Sequence, residues 1–208
     1  MNELTKKPPK SFDEMVADML KCEQTPGQSV YQHGISVNQH FDDLMDYLNG
    51  LYSLPEGRWK LPEWLETYKG DIIANLHNRG QIERYLIFHD AGKPYCRTWD
   101  GHFPNHAAVS KYIWSCIGGN DRVGHLIGED MVMHSASAEE IDKKLDEDWT
   151  EQDACTLLLA ALCEIHSNAK MFGGELGIKS EQFKMKWKQI DRRGKQICKK
   201  LFMKAANA

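Results

Sequence analysis

The sequence predicts an all-α fold, on three observations. Apolar residues recur at spacings of three, four or seven through most of the chain. Helix-start signals precede several of these stretches, as in Ser137 with Glu140 and the acidic turn Thr150-Glu151-Gln152-Asp153. Strand signals are weak everywhere.

Residues 1–10 are polar and read as a disordered lead-in. Ser11 to Cys22 reads as a short helix with Phe12, Met15, Val16, Met19 and Leu20 on one face. Thr25-Pro26-Gly27 is a turn. A longer helix follows, with Val30, Val37, Phe41, Leu44, Leu48 and Leu51 on its apolar face. Residues 52–70, punctuated by Pro55, Trp59, Pro62 and Trp64, form an irregular insertion. Helices are expected over Asp71 to Leu76, Gln81 to Phe88, Ala107 to Ile117 and Arg122 to Met133. An acidic segment runs from Ser137 to Asp148. The helix from Ala154 to about Ala169 is apolar almost all round, which places it at the centre of a core.

The 208 residues suffice for one domain with a sizeable core plus a tail. We expect a domain over 11–178 and a basic amphipathic helical tail over 179–208 packed on it. The tail carries ten Lys or Arg against two acids, a net of +8, although the whole chain has a formal charge of −4. Its stripe of Phe183, Trp187, Ile190, Ile197 and Leu201 fits a helix packed on the body. Its basic face is either plain solvated surface or a surface for an anionic substrate such as RNA. With hydrophobic residues at 41% and charged ones at 27%, the chain reads as soluble and globular. No apolar run approaches a membrane span, and the polar N-terminus lacks a signal-peptide core, so a cytoplasmic protein with no membrane partner is expected. Six scattered cysteines without a Cys-x-x-Cys pair read as reduced, mostly buried thiols.

The chemistry lies in the histidines, of which there are nine. His89-Asp90 ends the apolar stretch Tyr85-Leu86-Ile87-Phe88 and is followed by Ala91-Gly92-Lys93-Pro94. Adjacent residues sit about 100° apart on a helix, so both can aim at one ion near its end. Imidazole and carboxylate are both ligands for divalent transition ions. His33 falls on the core face of its helix, His106 starts the Ala107 helix, His134 follows Met131-Val132-Met133, and His166 lies in the most apolar helix. Each alone reads as a core or cap histidine. Together they match the way helical bundles build metal sites, from inward side chains on facing helices.

The run Phe88-His89-Asp90-Ala91-Gly92-Lys93-Pro94 resembles the His-Asp-x-Gly-Lys motif of the HD superfamily of metal-dependent phosphohydrolases. The likeness is best to the HD domain of bacterial tRNA nucleotidyltransferases, over roughly residues 25 to 175. It implies a compact helical bundle, with His33 and His134 in the places of the family's upstream and later histidines. The family usually closes its site with an aspartate in a pattern like Glu-x-Asp, whereas this chain reads Glu164-Ile165-His166. His166 is the expected replacement ligand, with Asp153 and Asn168 as competing candidates.

The resemblance implies one or two divalent ions. One would be held by His33, His89, Asp90 and His166, and a second by His106 and His134 with Asp90 bridging. A histidine-rich set favours Mn, Fe, Co, Ni or Zn over Mg. The expected reaction is hydrolysis of a phosphomonoester or phosphodiester in a nucleotide or an RNA or DNA end. Asp90 and Lys93 are the expected catalytic residues; Lys93 either offsets phosphate charge or is a solvated lysine. Tyr95, Trp99 and Phe103 either stack on a base or anchor their loop. Two other classes remain: an HD-like di-iron oxygenase, and a catalytically degenerate HD domain that binds RNA or protein.

Overall fold

Helix accounts for 69% of the structure and strand for 3%, so the chain is all-α as expected. The computed structural model describes residues 4–203. In chain order its helices are α1 (Phe12–Lys21), α2 (Val30–Leu48), α3 (Glu63–Thr67), α4 (Lys69–Ala74), α5 (Arg79–Phe88), α6 (Lys93–Cys96) and α7 (His106–Cys116). They continue with α8 (Asp121–Glu129), α9 (Val132–Ser135), α10 (Ala138–Glu147), α11 (Glu151–Ser167), α12 (Ala169–Gly173) and α13 (Glu181–Phe202). A short antiparallel hairpin, β1 (Glu23–Thr25) with β2 (Gln28–Ser29), closes over Pro26-Gly27, where Gly27 takes a φ of +79°. None of the helices is long and apolar enough to cross a membrane, among the described residues.

The chain divides into two compact units, one of residues 1–38 and 79–130 and one of residues 39–78 and 131–208. This differs from the expected split at 178/179. The reason is packing: α13 is integral to the second unit, with Phe183, Ile190, Ile197 and Cys198 buried and α11 as its main neighbour. Residues 204–208 of the expected tail lie outside the described residues.

In the first unit, Ser11 caps α1 by accepting from the Glu14 N–H. Met15 and Met19 are buried as expected, but Phe12 and Leu20 are 47% and 51% exposed, and Asp18 is buried with the methionines. Asp18 ties down part of the span expected as a disordered lead-in, residues 1–10. Of that span residues 1–3 lie outside the described residues; beyond them the Thr5 N–H donates to the Tyr95 carbonyl, and Lys6 pairs with Asp18. The Tyr95 hydroxyl also donates to Asp18, at 2.6 Å. The helix expected over Arg122 to Met133 ends at Glu129, next to Asp130, whose carboxylate accepts from the Tyr85 hydroxyl at 2.7 Å.

In the second unit, α11 is buried without interruption from Asp153 to Cys163, so the all-round apolar pattern marks the core. Thr150 and Asp153 form a capping box, as do Ser137 and Glu140 at the start of α10. Asp153 also pairs with His77 at 2.8 Å, so it is a structural group held at a helix start. All six cysteines are free thiols, and only Cys116 is exposed.

Candidate metal centre

Asp90 follows α5 in the turn that leads to α6, and three histidines of the first unit surround its carboxylate. His33 Nε2 lies 3.7 Å from Asp90 Oδ2, and His89 Nε2 lies 3.3 Å from the same oxygen. His106 Nε2 lies 3.5 Å from Oδ1. Ligand atoms bound about 2.1 Å from one ion stand about 3.0–3.5 Å from one another. The His89 and His106 separations are of that size and the His33 separation is slightly longer, and the ligand atoms of His33, His89 and Asp90 all lie within 4.8 Å of one another.

Tautomers agree with this reading. His89 Nδ1 lies 2.8 Å from the Leu86 carbonyl and His106 Nδ1 lies 3.1 Å from the Phe103 carbonyl. A carbonyl only accepts, so each Nδ1 carries a proton, and Nε2 is the atom that each ring turns to Asp90.

Two glycines allow the convergence. A Cβ on Gly34 would lie 2.1 Å from the Ile87 carbonyl oxygen, so α2 and α5 approach backbone to backbone beside His33 and His89. A Cβ on Gly92 would lie 2.3 Å from the Ser110 nitrogen, so the Asp90 turn sits directly on the first turns of α7, which carries His106. The Gly92 N–H donates to Ser110 Oγ at 2.8 Å and locks that contact.

Lys93 is buried rather than solvated. Its Nζ lies 2.6 Å from Asp90 Oδ2 and 2.9 Å from Gln24 Oε1 of the hairpin, and it faces the Phe103 ring at 5.4 Å. Burial by itself pushes the Asp90 carboxyl up; Lys93, then His89 and His33, outweigh it and hold the group well below the usual carboxylate range. Asp90 is therefore an anion. Its Oδ1 is buried and receives no hydrogen bond. A buried, unbonded carboxylate oxygen facing an imidazole suits a cation. The donor set of two imidazoles and one carboxylate, with a third imidazole at the other carboxylate oxygen, fits a divalent transition ion better than Mg.

The other two expected ligands lie in the second unit, and both have local partners. His166 Nδ1 donates to the Leu162 carbonyl at 2.7 Å, while its Nε2 accepts from the Lys60 N–H at 3.0 Å. Its ring stacks on Trp59 at 4.5 Å, and burial pulls its pKa down to about 4. With both nitrogens engaged, His166 has no lone pair for an ion, and its expected role as ligand is corrected to that of a pin for the 52–62 segment. His134 Nε2 lies 2.8 Å from Glu164 Oε2. Its expected role as ligand to a second ion is corrected in the same way, since that nitrogen is held by a carboxylate of its own unit.

Gln24, beside Lys93, and Glu164, the partner of His134, are the groups that sequence reasoning missed. Glu164 was legible only as the acid of Glu164-Ile165-His166, and Gln24 carried no signal. Asn168 lies 3.5 Å from Glu164 Oε1 through its Nδ2. Of the loop aromatics, Tyr95 is a fully buried anchor and Phe103 lies beside Lys93, whereas Trp99 is 99% exposed on a turn tied by hydrogen bonds between Thr98 and His102. Comparison of the chain with protein-family models, with curated proteins and with solved structures returned no match.

Proposed function

We propose that the protein is a metal-dependent phosphohydrolase of the HD type, acting on a nucleotide or nucleic-acid phosphate. The observation that carries this reading is the buried Asp90 carboxylate with the Nε2 atoms of His33, His89 and His106 all within 3.3–3.7 Å of it. His33, His89 and Asp90 would hold one ion of the Mn, Fe, Co, Ni or Zn type, with His106, expected as ligand to a second ion, at the other carboxylate oxygen. When bound, such an ion supplies Lewis-acid polarisation of a phosphoryl oxygen and an acidified water.

The chain's own groups do the rest. Asp90 holds negative charge at neutral pH and faces the histidines with both oxygens. The carbonyls of Leu86 and Phe103 orient His89 and His106 through their Nδ1–H groups. Lys93 brings a fixed cation to the centre, which suits an anionic phosphate substrate.

The test is metal content of the purified protein, followed by hydrolysis of a nucleotide and phosphoester panel with Mn, Ni and Mg. Hydrolysis is expected with Mn or Ni, with His89→Ala and Asp90→Ala inactive but folded by circular dichroism. Full activity in either variant would reject the site. A second reading is favoured by the composition of His33, His89 and Asp90, two imidazoles and a carboxylate, which is the facial ligand set of non-haem iron oxygenases. Oxygen consumption with Fe(II) and no phosphate release would select it.

A further inference from the structure

α13 is a basic helix, and several of its cations are engaged within the second unit. Lys200 reaches Asp142 and Asp146 of α10, at 3.4 and 2.8 Å, and the Arg193 guanidinium donates to the carbonyls of Met133 and Ala136. These cations hold the second unit together. From Met185 onward, the exposed residues of the helix are Met185, Lys188, Arg192, Lys195 and Lys199. Steps of three, four, three and four keep them on one ridge. Lys195 pairs with Asp191 at 2.8 Å. The side chains of Lys188, Arg192 and Lys199 make no hydrogen bond or ion pair among the described residues. The row from Lys188 to Lys199 spans eleven residues, or about 16 Å of helix.

The ridge presents cations, while the amides and the indole beside it are engaged elsewhere. Gln189 and Gln196 are turned to the carbonyls of His134 and Ala138. Trp187 donates its ring N–H to the Lys60 carbonyl, and the Lys60 ammonium covers its face at 3.9 Å. Neither a stacking platform for single strands nor an amide for base edges is on offer. What remains is a straight row of cations, the complement of a phosphate backbone. A rigid row of about 16 Å suits the even phosphate spacing of B-form DNA, about one charge per 1.7 Å of axis.

We infer that the exposed ridge of α13, formed by Lys188, Arg192, Lys195 and Lys199, docks the phosphate backbone of double-stranded DNA without reading its sequence. The inference concerns the second unit and stands independently of the metal centre.

The test is fluorescence anisotropy of the full chain with short labelled DNA duplexes of two unrelated sequences. Both duplexes are expected to bind equally. Neutralising about four phosphates predicts a loss of about two orders of magnitude in affinity between about 50 and about 200 mM salt. K188E/R192E/K199E is expected to abolish binding at the lower salt while keeping the wild-type melting temperature, and K188R/K199R to retain it. Wild-type binding by the charge-reversed protein, or no binding of duplex DNA at low salt, would overturn the inference. Tighter binding to duplex RNA or to vesicles rich in phosphatidylserine would overturn it in favour of those surfaces. Salt-sensitive self-association without DNA binding would assign the ridge to the acidic surface of a second copy.

Discussion

The Lys93 ammonium and the Asp90 carboxylate form a buried ion pair at 2.6 Å, on the same oxygen that His33 and His89 face. Lysine thus holds a cation where a metal ligand needs one. Lys93→Met removes that partner and leaves an uncompensated buried carboxylate, which costs on the order of 3 kcal/mol. A divalent ion neutralises the same charge. Thermal melting is expected to show a destabilised Lys93→Met variant that Zn or Mn stabilises more than it stabilises the wild type. Equal metal-induced shifts in the two proteins would show that lysine and metal do not share Asp90.

The two close-approach glycines are expected to be intolerant of even one carbon. Gly34→Ala puts a Cβ 2.1 Å from the Ile87 carbonyl oxygen, and backbone must move to admit it. Overpacking of this kind costs about 1–3 kcal/mol. Gly92→Ala meets the Ser110 nitrogen at 2.3 Å. Urea denaturation checks the loss of stability, and metal titration checks a second expected effect, weaker binding as the His33 and His106 helices are pushed from Asp90. A control, Gly70→Ala, faces open space and is expected to be neutral or mildly stabilising.

Acid sensitivity is expected to come in part from His166. Burial depresses its pKa to about 4 in the folded state, while the unfolded chain titrates it at the ordinary 6.5. Between those values the unfolded state binds the proton more readily, so stability is complete above 6.5 and is lost as pH falls towards 4. The linkage amounts to about 2 kcal/mol between about pH 7 and about pH 5. His166→Gln is expected to flatten this part of the profile in urea titrations. An unchanged slope would mean that the ring is not held neutral.

The His134–Glu164 pair is expected to be a stability element. The 2.8 Å contact is a partly buried, charge-assisted hydrogen bond. Glu164→Ala is expected to cost about 1.5–3 kcal/mol in chemical denaturation. His134→Ala and Glu164→Ala are expected to lose less together than the sum of the two, the mark of a shared interaction. Strict additivity would show that the two side chains act separately.

Much of this architecture was legible because it rests on local periodicity. The burial of α11, the caps at Ser137 and Thr150, and the apolar face of α2 from Val30 to Leu48 follow from spacing and side-chain chemistry alone. Leu51, placed on that face by spacing, lies past the helix end and is 78% exposed. Propensity does not say where a helix stops when a tertiary contact ends it, as with Asp130 and Tyr85.

The candidate centre was half legible. His89-Asp90 announced itself as a pair, and His33, Lys93 and His106 were singled out before any geometry. The sequence by itself determined the helical class, the caps, the core helix and the residue types from which a metal site can be built. Only the tertiary structure decided which histidines face Asp90 and which are engaged elsewhere. A ring's role depends on what its two nitrogens meet, and those partners come from carbonyls and carboxylates far away in the chain. His166 meets the Lys60 N–H across 106 positions, and no spacing rule connects the two.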